Sequence, residues 1–107
     1  MEVASDIASK VAELFPPGDQ ALVLALIADA KLHDGSQPDA RCQRCALQAS
    51  RGSLDRLGYY LDLLAVDYRD VIVAGEYESV GGKLARVRDL SQPFGADLVR
   101  EGPGAGP

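Results

Sequence analysis

Aromatic residues are scarce in this chain of 107 residues, which contains no tryptophan, four tyrosines and two phenylalanines. The core must therefore be aliphatic, which favours helices over an aromatic-rich β-sandwich. The overall composition, 47% hydrophobic and 25% charged, is that of a globular protein. The length is sufficient for one small domain with a single core.

Long apolar runs are also missing. The longest, ALVLALIA at Ala21–Ala28, is far shorter than the roughly 20 residues needed to span a bilayer. It predicts a buried helix with neighbours on several sides. The first residues, MEVASDIASK, are acidic and amphipathic, which predicts no signal peptide. Because no signal peptide is predicted and only one cysteine pair is possible, we expect a cytoplasmic protein. Because the apolar run is short, we expect no membrane contact.

Basic charge is in the minority, and the net charge is −5. An acidic chain repels a phosphate backbone, so nucleic-acid binding is not expected. Arg41, Arg44, Gln48 and Arg51 form a polar stripe at helical spacing, but no aromatic residues interleave with it to stack on bases. We interpret this stripe as a solvated helix face that pairs with acidic neighbours.

Apolar periodicity predicts an all-α protein: a small orthogonal or up-down bundle of four main helices plus one short C-terminal helix. Asp39 and Ser53 are expected N-caps, as is Asp19 for the second helix. The predicted helices are Val3–Phe15, Gln20 to about His33, Asp39 to about Arg51, Ser53–Glu78, and a short one at about Lys83–Leu90. Residues 1–98 are predicted to form the domain, and the Gly/Pro-rich residues 99–107 a disordered tail.

The fourth predicted helix gives the strongest periodic signal. Its inner stripe consists of Leu54, Leu57, Leu61, Leu64, Tyr68 and Val71. A kink is possible near Val66–Asp67. The segment DVIVAGEY, with three β-branched residues in a row, has an alternative interpretation as a short strand.

The opposite side of this helix mixes apolar and charged side chains, which is typical of a wet protein–protein interface. The candidate interface residues are Tyr59, Leu63, Val66, Val73 and Tyr77. They predict a homodimer or a protein partner. The alternative is a helix at the centre of the bundle, covered on both faces.

The only two cysteines, Cys42 and Cys45, share a face of the third helix with alanines. Free cysteine often behaves as a small buried hydrophobe, so the first interpretation is close packing. Gly58 and Gly75 lie on or beside the inner stripe of the fourth helix and suggest close approach of another backbone. The small face that carries the cysteines would fit opposite one of these glycines.

The alternative interpretation of the Cys-x-x-Cys motif is chemical. Near a helix N-terminus, amide groups favour the thiolate. With Asp39, the motif resembles the helix-borne dithiol of the AhpD-like hydroperoxidases, although Ala49 stands where that family has a histidine. The resemblance implies thiol redox chemistry. Zinc is the other option, with Cys42, Cys45 and His33 as soft ligands and a further ligand from Asp34, Asp39 or a second chain.

Two functional hypotheses follow. The first is a small non-catalytic helical interaction or structural module without a cofactor. The second is a dithiol protein that uses Cys42 and Cys45 for redox chemistry or zinc binding.

Overall fold

The structure is a computed structural model that describes residues 3–95. It contains four helices followed by a two-stranded antiparallel sheet. The helices are α1 (Ser5–Leu14), α2 (Pro17–Asp29), α3 (Ala40–Ser50) and α4 (Leu54–Glu76), and the strands are β1 (Tyr77–Val80) and β2 (Lys83–Arg86). The tail predicted for residues 99–107 lies outside the described residues.

The α3 helix lies at the centre of the fold. Two predicted caps begin α3 and α4: the Asp39 side chain accepts a hydrogen bond from the Cys42 amide, and the Ser53 side chain accepts one from the Arg56 amide. Along α3 even polar residues are buried, including Gln43, Arg44 and Ser50. The solvated stripe predicted for this helix is therefore wrong at Arg44.

The core is almost entirely aliphatic, as the lack of aromatics predicted, and includes one buried aromatic side chain, Phe15. Its fully buried large side chains come from all four helices and from the segment after β2: Ile7, Val11, Val23, Ile27, Leu47, Leu57, Leu64, Val71 and Leu90. The predicted surroundings of α2 differ from those observed. Only one side of α2 is buried, and Leu22 and Leu26 on the other side are exposed.

The predicted fifth helix at Lys83–Leu90 is wrong, and with it the all-α class. Residues 83–86 form β2, which pairs with β1 in a register that places Val80 opposite Lys83. Gly81 and Gly82 form the two-residue turn, both with positive φ (58° and 83°). Two glycines with positive φ suit a tight hairpin whose twist matches its strands. Leu84 in β2 is exposed to solvent.

The α4 helix continues through the segment for which a strand was the alternative, and β1 begins only at Tyr77. The predicted kink is confirmed, because Asp67 has non-helical backbone angles (φ −156°, ψ 97°). Within residues 3–95, no helix combines the length and the apolar character needed to cross a membrane.

Candidate functional site

The two cysteines lie on the side of α3 that packs against the second half of α4. Both are buried as free thiols. A Cβ atom added to Gly75 would lie 2.5 Å from the Cys45 Cα and 2.8 Å from its carbonyl oxygen. The predicted close approach of two backbones is thus confirmed at Gly75. It is not found at Gly58, where nothing lies within 4 Å of such an added atom.

The surroundings of both thiols favour the neutral form. Burial raises the pKa of the Cys42 thiol to about 12, with a further contribution from the Asp39 carboxylate. Burial also raises the pKa of Cys45, as does the nearby charge of Glu76. A reactive cysteine needs the thiolate form and solvent access. This geometry favours packing over chemistry.

The third candidate ligand, His33, lies on the exposed segment after α2. It lines a shallow pocket with Leu32, Asp34 and Tyr68. Among residues 3–95, no group of three or more His, Cys, Asp or Glu side chains is placed to hold a metal ion. The structure therefore does not bring His33 together with the two cysteines as a ligand set.

A completely buried carboxylate, Glu76, ends α4. Its two oxygens accept hydrogen bonds from Arg41 at 2.9 Å each, from Arg86 Nε at 3.0 Å and from the Leu90 amide at 3.0 Å. The Cys45 Sγ lies 3.9 Å from Oε2. Burial by itself would raise the pKa of Glu76, but the hydrogen bonds from Arg41 and Leu90 and the two positive charges lower it.

A second ion pair joins α1 to α3. Arg44 donates to the two carboxylate oxygens of Asp6 at 2.8 and 3.1 Å, and to the Leu90 carbonyl at 3.2 Å. The Phe94 amide donates to Asp6 at 3.1 Å. Desolvation opposes ionisation of Asp6, but the hydrogen bonds from Arg44 and Phe94 lower its pKa below the ordinary value.

Together these two clusters hold the segment after β2 in place. The Leu90 side chain is buried, its amide is bound by Glu76 and its carbonyl by Arg44. Every buried side-chain nitrogen or oxygen in the described part of the chain has a hydrogen-bond partner. We interpret the clusters as structural, because they are closed and leave no polar atom directed at a ligand.

The candidate interface residues divide at the kink in α4. Tyr59 and Val66 are 62% and 76% exposed, and Leu63 between them is half-buried. Their spacing of four and seven residues places all three on one side of the first half of α4. Val73 follows the kink and is 39% exposed, while Tyr77 is a half-buried residue of β1. The structure thus brings Tyr59, Leu63 and Val66 together as one helical stripe, named the outer stripe below.

An apolar surface that the sequence reasoning missed lies on α2. Leu22 and Leu26 are 51% and 38% exposed, and Ala21 and Ala25 beside them are exposed as well. Leu26 also lines a groove between the end of α2 and the first half of α4. The other lining residues are Asp29, Ala30, Lys31, Gly58, Leu61, Asp62 and Ala65. The available signal was the all-round apolar character of α2 in a chain with few elements to cover it.

The comparisons with known proteins identify no relative. No family model matches the chain, and neither the curated proteins nor the solved structures include a match.

Proposed function

We propose that the protein is a small, non-catalytic helical interaction module of the cytoplasm that self-associates as a homodimer. The observation that carries this proposal is the outer stripe. Tyr59 and Val66 expose most of their side chains on one side of the same helix, with Leu63 between them. Exposure of large apolar groups to water is unfavourable, and their burial by a partner lowers the free energy.

Charge on the two edges of the outer stripe supports self-association. By helical spacing, Asp62 lies along one edge and Arg56 along the other. A two-fold axis parallel to α4 would place the acidic edge of one protomer against the basic edge of its partner. Tyrosine in such a patch is typical of protein interfaces.

The dithiol alternative has less support. Its thiols are buried and their pKa values are raised, which is the reverse of what a reactive thiol requires. For zinc, residues 3–95 contain no group of three or more His, Cys, Asp or Glu side chains that could hold the ion. We therefore do not propose it as the function.

Light scattering over a range of concentrations tests the homodimer. We expect the wild-type mass to approach twice the chain mass of 11.3 kDa as concentration rises. Val66→Asp should remain monomeric, because it replaces the most exposed apolar side chain of the stripe with a charge. Val80→Asp is the matched control, since Val80 is 55% exposed in β1 and should not alter the mass.

Circular dichroism of both variants should match the wild type, because neither valine belongs to the core. A wild type that stays monomeric at every concentration would contradict the homodimer. A dimer that Val66→Asp leaves intact would show that the outer stripe is not the interface.

A further inference from the structure

The groove between α2 and α4 is a second apolar surface, which adjoins the outer stripe and shares Asp62 with its acidic edge. One wall is the last turn of α2, including the exposed Leu26. The other wall is a helical row on α4 with spacings of three, four and seven residues: Gly58, Leu61, Asp62 and Ala65. On the helical wheel this row lies between the buried face of α4 and the outer stripe.

The dimensions of the groove suit a helix. Gly58 and Ala65 are seven residues apart, which corresponds to about 10 Å or two helical turns. The small residues along the wall leave room for side chains from outside, and nothing lies within 4 Å of the position a Cβ would take at Gly58. An apolar groove between two helices is the usual site for the apolar face of a third.

The charges around the groove are mainly acidic. Asp29 stands on the α2 wall and Asp62 on the α4 wall, and both are exposed. Lys31 is the only basic residue among those that line the groove. The whole of α2, from Pro17 to Asp29, carries Asp19 and Asp29 and no basic residue.

Because the groove is apolar and its charges are mainly acidic, we propose that it binds an amphipathic helix of a partner protein. This helix would have leucine-like side chains on one face and lysine or arginine on its flanks. The apolar face packs against Leu26 and Ala65, and the basic flanks meet Asp29 and Asp62. A second copy of this chain suits the groove less well, because the exposed face of its own α2 lies on a helix with Asp19 and Asp29 and no basic residue. This inference rests on the proposed function as an interaction module, and it adds a second surface and the chemistry of its partner.

The test uses two synthetic peptides of about 18 residues, long enough to be helical. One has leucines at helical spacing with lysine elsewhere, and the other has the same leucines with glutamate elsewhere. Binding is measured by fluorescence anisotropy at about 0.15 M salt, so that non-specific attraction is screened. The host is Val66→Asp, which keeps homodimerisation out of the measurement.

We expect the Leu/Lys peptide to bind at least about tenfold more tightly than the Leu/Glu peptide. Reversing the charge of both groove acids (Asp29→Lys with Asp62→Lys) should reduce the affinity for the Leu/Lys peptide by about tenfold. The same variant should bind the Leu/Glu peptide more tightly. The matched control reverses two exposed acids elsewhere, Asp70→Lys with Glu13→Lys. It has the same net charge and should change binding less than about twofold.

A third variant fills the groove without altering charge. Gly58→Gln should reduce the affinity for both peptides, because the added side chain occupies the groove. The circular dichroism spectrum should not change, because nothing lies within 4 Å of the added Cβ atom. Equal affinity for the two peptides would overturn the proposal, as would a control that weakens binding as much as the groove variant. A host that still dimerises, and does so through the groove, would identify a second copy as the occupant instead.

The outcome is separable from that of the homodimer. Peptide binding by a chain whose wild type is monomeric would contradict the homodimer alone. If the wild type dimerises through the outer stripe but the Val66→Asp host binds neither peptide, the result contradicts the groove alone.

Discussion

Gly75 and Cys45 bring α4 and α3 into backbone contact: a Cβ atom on Gly75 would lie 2.5 Å from the Cys45 Cα. No side chain fits between the two helices at this point. The contact also places Glu76, the next residue, among Arg41, Arg86 and the Leu90 amide. The close approach and the charged cluster are therefore parts of one helix crossing.

Gly75→Ala should destabilise the protein strongly, because the added methyl group meets backbone atoms that cannot move independently. We expect a loss of about 2–3 kcal/mol in the free energy of unfolding, measured by urea denaturation. Gly58→Ala is the matched control, since its added methyl group meets open space and improves helix propensity. It should stabilise the protein by up to about 1 kcal/mol. If Gly75→Ala and Gly58→Ala change the free energy of unfolding equally, the close contact between α3 and α4 at Gly75 is contradicted.

Glu76→Gln should be among the most damaging polar substitutions. The amide preserves the shape of the side chain, but it removes the charge that Arg41 and Arg86 share and replaces one acceptor with a donor. We expect a loss of about 3 kcal/mol in the free energy of unfolding. Glu78→Gln removes a partly exposed carboxylate paired with Arg88 and should cost far less. If the two variants unfold at the same urea concentration, the buried cluster does not stabilise the fold.

Stability should fall in acid because of Asp6 and Glu76. The pKa of each lies below its ordinary value, 3.8 for Asp6 and 4.5 for Glu76. In the folded protein both carboxyls stay ionised to lower pH, so the unfolded chain binds protons first and is favoured as pH falls. Their contribution is complete above about pH 5 and is lost as pH drops through the lowered values.

Urea midpoints measured between pH 6 and pH 3 check this dependence. The urea concentration at the midpoint should decrease as the pH is lowered below 4.5. The decrease should be smaller for Glu76→Gln than for the wild type. A variant that retains the full acid sensitivity would show that other carboxylates cause it.

Both thiols should be unreactive in the native protein. Burial shields them and raises the pKa of Cys42 to about 12, so little thiolate forms at neutral pH. Titration with an aromatic disulfide at pH 8 should proceed slowly in buffer and at once, with two equivalents, in urea. Fast native reactivity would restore the dithiol hypothesis.

Local signals predicted much of the helical part of the fold. The Asp39 and Ser53 caps, the kink at Asp67 and the close approach at Gly75 each follow from a residue type at a particular helical position. The hairpin was not predicted because Leu84, Val87 and Leu90 are spaced as in a helix. The observed turn is set by Gly81 and Gly82, both with positive φ.

Long-range pairing explains the remaining differences. Arg44 is buried because Asp6 and Leu90 reach it from 38 and 46 residues away, and local sequence carries no record of that contact. Of the two candidate surfaces, the outer stripe could be predicted from the helical spacing of its apolar residues. The exposed face of α2 did not, because the same apolar run would suit a fully buried helix.

The most direct test of the account is amide chemical-shift mapping by NMR on dilution of the wild-type protein. If the outer stripe is the interface, the concentration-dependent shifts will centre on Tyr59, Leu63 and Val66 and will be absent around Gly81 and Gly82. Spectra that do not change with concentration, or shifts centred on the hairpin, would contradict it.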